Sequence, residues 1–432
     1  MTLRANPQNQ AAVLALAVYS RVLEAVRADR LVEVAVQRAD DVLVVQGRPY
    51  DLSLYSRVRV VGVGKASVAM AKAIVGILPD RIHDGLIVTK RGHAEPVPGV
   101  EVIEAGHPVP DEDSMQAGER TLRFAQECNE QDLVLFVLSG GASALMELPT
   151  EGVTLDELQE TNRLLLASGA DITQMNAIRS RISRLKAGGL ARAFAPATVV
   201  ALVLSDVVGN SLATIGSGPL IGPKNSGDLP TNLIDQLPAA VRSEVLAGQL
   251  LPRSVPAVDH YIVGSVSVAV HAAADAAKAI GLDALPFQDP LQGEARSMAR
   301  QICSVAQRHA QARPDDWFCL IFGGETTVKI RGNGKGGRCQ EMAVAAAPAI
   351  ARIRDAAFLA AGTDGTDGPT DAAGGVVDTD LLLRAKNKGL DHRRALVQND
   401  TYPFLEQTDG LIISGPTGSN VNDLCLVVHA PS

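Results

Sequence analysis

The chain is expected to be an α/β protein of two domains: an N-terminal doubly wound, mostly parallel sheet and a C-terminal α/β domain with a mixed sheet. Three observations predict this. From Arg57 onward, short β-branched runs alternate with alanine-rich stretches, the pattern of a sheet covered by helices. Several of those runs pass directly into glycine or a small polar residue, which gathers reactive groups at the carboxyl ends of strands. At 432 residues and 46% hydrophobic content, the chain can also bury more than one core.

Taken in order, the apolar run 11–18 continues into Arg21, Glu24 and Arg27 at helical spacing, so residues 1–40 read as largely helical. No small-residue cleavage site follows, which argues against a signal peptide. Strands are expected at 58–63, 85–90, 100–105, 133–138 and 199–204. Between 216 and 258 prolines and glycines accumulate without an evident strand, which places the domain boundary there and divides 1–240 from 241–432. Further strands are expected at 261–264, 317–323, 327–331, 357–361 and 411–414. The second and third of these meet at a tight Gly-Gly-Glu turn, so an antiparallel pair would make the second sheet mixed.

Composition excludes several function classes. A net charge of −8 and 3% aromatic content argue against nucleic acid and anionic membrane as partners. No apolar stretch approaches the ~18 residues that would span a bilayer. The five cysteines are odd in number and never in Cys-x-x-Cys spacing, which predicts neither a disulfide framework nor a zinc site and points to a reducing cytoplasm.

The chemistry sits in short segments. Gly323-Gly324-Glu325-Thr326-Thr327 and the glycines from Gly332 to Gly337, with Lys335 and Arg338, read as an anion cradle of bare backbone N–H groups and cations. Gly62-Val63-Gly64-Lys65 is not a Walker A loop, because Arg59 and Ala66 occupy the required glycine and hydroxyl positions. The dinucleotide fingerprint also fails, with Ser67 in place of its third glycine and Lys90-Arg91 in place of an acid. Those two cations would still suit a 2′-phosphate, so an NAD(P)H-dependent reductase stays open. Lys65 itself stands at a helix start, where an anion is favoured.

Ser139-Gly140-Gly141-Ala142-Ser143 ends another strand and offers N–H groups and two hydroxyls to a carboxylate or phosphate. Asp206, also at a strand end, suits proton acceptance or Mg2+. Asp364, Asp367 and Asp371 lie so close together that they call for a cation or water. Mg2+ shared with substrate phosphates fits better than an EF-hand, since Gly375 stands where the bidentate glutamate belongs. Asp367 and Asp371 read more easily as surface turn residues than Asp364 does. The loop 413–423 would line the same cleft, and His107 and His271 are taken as structural.

Gly62-Val63-Gly64-Lys65-Ala66, Gly106-His107-Pro108, Ser139-Gly140-Gly141, Ser183-Arg184-Leu185-Lys186, Ser205-Asp206-Val207, Gly323-Gly324-Glu325-Thr326-Thr327, Gly337-Arg338, Thr363-Asp364-Gly365 and Gly415-Pro416-Thr417-Gly418 follow one another in the order found in one family. Together they resemble the glycerate 2-kinases, also called hydroxypyruvate reductases, whose C-terminal half is the MOFRL domain. The resemblance implies an active site in a cleft between two α/β domains, with ATP and Mg2+ used to phosphorylate D-glycerate, or a related small 2-hydroxy acid, at its 2-hydroxyl. It implies Lys65 and Arg338 as catalytic cations, and Asp206 as base or, with Asp364, metal ligand. Substrate and nucleotide would be held by Gly64, Ser139, Gly140, Gly141, Ser143, Arg179, Lys186, Gly324, Glu325, Thr326, Gly337 and Asn420. The expected partners are the small acid and the nucleotide, with a homodimer left open. The chain departs from the family pattern at Ser180, Arg181, Asn210, Cys339 and Asn422, positions that bear on the acceptor acid more than on the kinase chemistry.

Overall fold

Alternating apolar and alanine-rich segments fold into two units in the computed structural model, which describes residues 3–168, 172–222, 231–247 and 254–431. One unit is continuous, 28–263; the other is built from both ends of the chain, 1–27 and 264–432. Helix α1 (Gln10–Ala25), capped by the Asn9 side chain on the Ala12 N–H, belongs to the second of these.

The continuous unit begins with α2 (Ala28–Ala35) and a small antiparallel sheet of β1 (Val36–Ala39), β2 (Val42–Val45) and β3 (Arg48–Asp51). The main sheet follows: β4 (Arg57–Val63), α3 (Ser67–Ile77), β5 (Ile82–Lys90), β6 (Glu101–Ala105), α4 (Glu112–Gln126), β7 (Asp132–Leu138), α5 (Ala142–Leu145), α6 (Leu155–Ala167), α7 (Ile172–Arg181), α8 (Gly189–Phe194), β8 (Thr198–Leu204), α9 (Thr231–Ile234), α10 (Ala239–Ala247) and β9 (Asp259–Gly264). Strand order is β6-β5-β4-β7-β8-β9, with the pairings from β6 to β8 all parallel. This is the doubly wound order in which connections from adjacent central strands leave in opposite directions, and the crevice between β4 and β7 is where such sheets bind ligands. The central strands are buried on both faces, so they read as unbroken Val/Leu runs.

The other unit continues with α11 (Val266–Lys278), β10 (Asp283–Pro286), β11 (Leu291–Glu294), α12 (Ala295–Ala312), β12 (Phe318–Thr327), α13 (Arg338–Ile350), β13 (Ala356–Gly362), β14 (Gly374–Asp378), α14 (Leu381–Asn387), α15 (His392–Val397), α16 (Thr401–Gln407), β15 (Leu411–Ile412) and β16 (Asp423–His429). Its sheet runs β10-β12-β16-β13-β14-β15, with β11 also pairing β12. It is mixed, because β10 and β11 pair parallel to β12 whereas β16 lies antiparallel between β12 and β13.

Three expectations change. The division at 240/241 gives way to Val263/Gly264, because the Pro/Gly-rich stretch is no linker: Gly218 and Pro219 accept from the N–H groups of Gly188, Leu190 and Ala191. Leu233, Leu237, Val241 and Val245 also share a core with α6 and α7. The strand expected at 261–264 in the second sheet joins the first beside β8, and a half-buried edge strand carries no mark of which sheet it enters. No hairpin forms at 327–331: β12 continues through Gly323 and Gly324, and Asp423 of β16 is the antiparallel neighbour of Gly324. Among the described residues no helix is long and apolar enough to cross a membrane. All five cysteines are free and buried.

Candidate active site

In the continuous unit the carboxyl ends of β4 and β7 are sewn together. The Lys65 N–H donates to Gly140 O (3.0 Å), the Ser139 N–H donates to Val63 O (3.1 Å), and the buried Ser139 hydroxyl accepts from the Ala66 N–H (3.0 Å). A Cβ at Gly64 would collide with Ser139, and its φ of +134° lies where side chains are disfavoured. Ser139 therefore shapes the turn, and its hydroxyl is already engaged. The Ser67 hydroxyl fills the place of a fingerprint glycine by donating to Gly64 O (2.7 Å). Arg59, at the Walker glycine position, is buried against Asp84 (2.7 Å) and the Phe124 ring.

Lys65, half-buried, has no ion-pair partner among the described residues, and neither has Lys90 at the end of β5. Two successive glycines face this lysine's loop. A Cβ at Gly140 would run into the Asp206 carboxylate, and one at Gly141 would lie 3.1 Å from His107 Cδ2 and 3.4 Å from Lys65 Cγ. Ser143 Oγ lies 2.8 Å from Ser217 Oγ, which donates to Asn176 Oδ1 (3.3 Å). The turn thus gathers Lys65, Gly64, Ser139, Gly140, Gly141 and Asp206, and adds His107, which sequence reading set aside. Burial, reinforced by Lys65 and Lys90, pushes the His107 imidazole down to about 4, and the same causes lower His93.

Arg179 and Lys186 are otherwise engaged. Arg179 donates to Asn162 Oδ1 (2.9 Å), with burial lowering its guanidinium. Lys186 is buried and ion-paired with Glu147, which also accepts from the Ser183 hydroxyl (2.7 Å). Ser180 and Arg181 both donate to Ala177 O within α7, and Asn210 occupies a positive-φ turn at +54°.

In the other unit Arg338 opens α13 and donates from Nε and Nη2 to Asp423 (2.6 and 2.9 Å) and from Nη1 to Glu325 (2.7 Å). Burial would lower this guanidinium, but the hydrogen bonds and charge of Asp423, with Glu325, hold it well above the ordinary arginine value. Glu325 also accepts from Asn422 Nδ2 (3.3 Å), so two of the departures from the family pattern, Asn422 and Cys339, adjoin this cluster. Asp367 is buried and caps α13 from outside, accepting from the Cys339 and Gln340 N–H groups (3.1 and 2.8 Å), while Gly337 leaves room for its carboxylate. Burial pushes the Asp367 carboxyl up to about 6, against these donors. The reading of Asp367 as a surface turn residue is therefore corrected.

Asp364 is half-exposed and accepts from the Thr366 N–H (3.0 Å); Asn420 accepts from the Asn422 N–H (3.3 Å). Beneath this cluster Tyr19 of α1 donates to Gly362 O (2.7 Å), and burial, then Cys339 and three aspartates, raises its phenol well above the usual value. Thr326 is buried, its hydroxyl without a hydrogen-bond partner among the described residues.

The glycine-rich cradle is corrected in one respect. Gly332, Gly334 and Gly336 lie against the backbone and side chains of Gln398, Asp400 and Thr401, where a Cβ would collide, and the Lys335 ammonium sits over the Tyr402 ring and 3.7 Å from Asp371. Close packing explains these glycines. Gly324 faces Leu291 of β11 in the same way.

Comparison with known proteins agrees with this architecture, that of a two-unit α/β enzyme with a cation at the switch point of a doubly wound sheet. Residues 14–247 match a domain of unknown function, DUF4147, and residues 318–423 match the MOFRL family. D-glycerate 2-kinase of Thermotoga maritima is 40% identical over 96% of this chain and 97% of its own. Glycerate 2-kinase of Pyrococcus horikoshii is 38% identical over 91% and 92%. The crystal structure of a Thermotoga maritima glycerate kinase superposes with a TM-score of 0.86 at 40% identity, covering 97% of this chain and 99% of that one. The chain belongs to the glycerate 2-kinase family.

Proposed function

We propose that the protein transfers the terminal phosphoryl group of ATP, with Mg2+, to the 2-hydroxyl of D-glycerate or a closely related small 2-hydroxy acid, giving 2-phosphoglycerate and ADP. The observation that carries this is Lys65: a cation with no ion-pair partner among the described residues, at the switch point of the sheet, beside the Gly140-Gly141 turn that Asp206 also faces. Phosphoryl transfer asks for fixed positive charge near the equatorial oxygens and for an acceptor of the hydroxyl proton, and little covalent chemistry. Lys65 answers the first need. Asp206 answers the second, taking the 2-hydroxyl proton as its oxygen bonds to phosphorus and the bond to the leaving ADP oxygen breaks.

Arg338 gives three of its five N–H donors to Asp423 and Glu325, which fixes the guanidinium plane and leaves two for a phosphoryl oxygen. Mg2+ in such reactions is held by one or two carboxylates plus phosphates and water. With Asp206 as base, Asp364 would hold it, and the ion would neutralise charge on the phosphate oxygens. The reductase alternative loses its footing. Arg91, needed for a 2′-phosphate, pairs with Asp111 (2.8 Å) and Asp113.

The test is a coupled ADP-release assay with Mg2+ over a panel of 2-hydroxy acids, with enolase added to recognise the 2-phosphate directly. Folded protein that turns over none of them would end this reading.

A further inference from the structure

His107 is the group at the switch point that the mechanism above does not use. It follows β6, is half-buried, and its ring covers Gly141, where an added Cβ would stand 3.3 Å from Nε2 and 3.4 Å from the Lys65 stem. Neither ring nitrogen has a hydrogen-bond partner among the described residues. A half-buried imidazole in that condition is a donor waiting for an acceptor.

We propose that His107 is a substrate-binding residue: one ring N–H donates to the carboxylate of the hydroxy acid, beside the charge of Lys65. The inference rests on the kinase reading and deepens it by assigning the acid's two polar ends. His107 and Asp206 stand against successive glycines, Gly141 and Gly140, whose Cα atoms are about 3.8 Å apart. A 2-hydroxy acid carries its carboxylate and hydroxyl on neighbouring carbons, so one molecule lying along this turn presents the carboxylate to His107 and the hydroxyl to Asp206. The ring stays neutral at working pH because burial and the two lysines disfavour its charge, so it contributes a hydrogen bond of fixed direction and leaves charge neutralisation to Lys65. Gly141 has φ +90°, and a side chain there would press on the ring, which keeps this approach open.

The test compares wild type with His107→Leu, which removes the donor, and His107→Asn, which restores one on a shorter arm. In steady-state assays with ATP and D-glycerate, H107L is expected to raise the KM for D-glycerate at least ~10-fold, the scale of one hydrogen bond to a charged group. The KM for ATP should stay within about twofold, since that change is too small to represent a lost contact, and H107N should recover part of the loss. Calorimetric titration of D-glycerate into the same proteins gives the readout without turnover. An unchanged D-glycerate KM and affinity in folded H107L overturns the inference and leaves the kinase reading intact. An equal rise in the KM for ATP overturns it as well. Wild type that neither binds nor phosphorylates D-glycerate overturns both together, and is recognised by the wild-type data alone.

Discussion

Arg338 and Asp423 are joined by two parallel hydrogen bonds, Nε to Oδ2 at 2.6 Å and Nη2 to Oδ1 at 2.9 Å. Asp423 is the first residue of β16, the central antiparallel strand, and its register partners are Gly324 on β12 and Gly362 on β13. With no side chain on either neighbour, the carboxylate has space to receive the guanidinium in this bidentate form. The cation at the start of α13 is thereby fixed to the middle of the sheet.

The two family cations should consequently respond differently to removal. Lys65→Ala is expected to lower kcat at least ~100-fold, the scale of one lost oxyanion donor, without changing the melting temperature. Arg338→Ala should lower activity comparably and lower the melting temperature too, because Asp423 loses its counter-charge. Adding Asp423→Ala to Arg338→Ala should then cost less stability than the separate effects combined. Strict additivity in thermal melts would show the pair to be uncoupled.

Gly140→Ala tests the turn itself. The new methyl collides with the Asp206 carboxylate and displaces it, so kcat should fall by ~100-fold or more while circular dichroism stays native. Retention of activity would detach Asp206 from the chemistry.

Sequence reading recovered the first sheet almost strand for strand, because strands buried on both faces leave unbroken Val/Leu runs that end at their functional turns. It placed Lys65, Gly140 and Asp206 just beyond strand ends for the same reason. It took His107 as structural and could name no partner for Asp423 or Tyr19, because each adjoins a residue remote in sequence: Gly141 for the first, Arg338 for the second, Gly362 for the third. It gave ligand roles to Lys186 and to the glycines from Gly332 to Gly336, whose partners, Glu147 and residues 398–401, are likewise invisible in local pattern. A buried cation and an anion-binding cation look alike in sequence.

Lys186 and Glu147 form an ion pair buried on both sides. Lys186→Ala alone is expected to destabilise the protein by about 3–5 kcal/mol, because the glutamate is left charged and dry. The double change Lys186→Met with Glu147→Leu should recover most of that loss. Denaturant titration of the three proteins decides it, and a near-neutral single mutant would place water at the pair.

Asp367 makes stability depend on pH. Its carboxyl titrates near 6 when folded and near 4 in an unfolded chain, so the native state binds this proton more tightly. The resulting stabilisation is full below about pH 4 and is lost as the pH rises through about 6, a change on the order of 2–3 kcal/mol. The stability difference between wild type and Asp367→Asn should drift across that window in denaturant titrations. A difference that is flat from pH 4 to 7 would contradict the burial argument.

Chelation separates chemistry from architecture. Excess EDTA should abolish turnover while leaving the melting temperature unchanged, since among the described residues no cluster of protein ligands forms a metal cage. A clear fall in melting temperature on chelation would reveal a structural ion.

Helix α1 packs its buried Tyr19 under Gly362, yet residues 28–263 separate it from the rest of its own unit. During synthesis, the intervening unit is complete before any of α1's sheet has left the ribosome. At ~5–20 residues per second, α1 waits on the order of 10–50 s with its apolar face uncovered. Expressing the C-terminal half alone would repeat that situation permanently in mirror image, exposing the floor beneath the Arg338 cluster. A fragment meant to fold should therefore carry α1 fused ahead of Gly264.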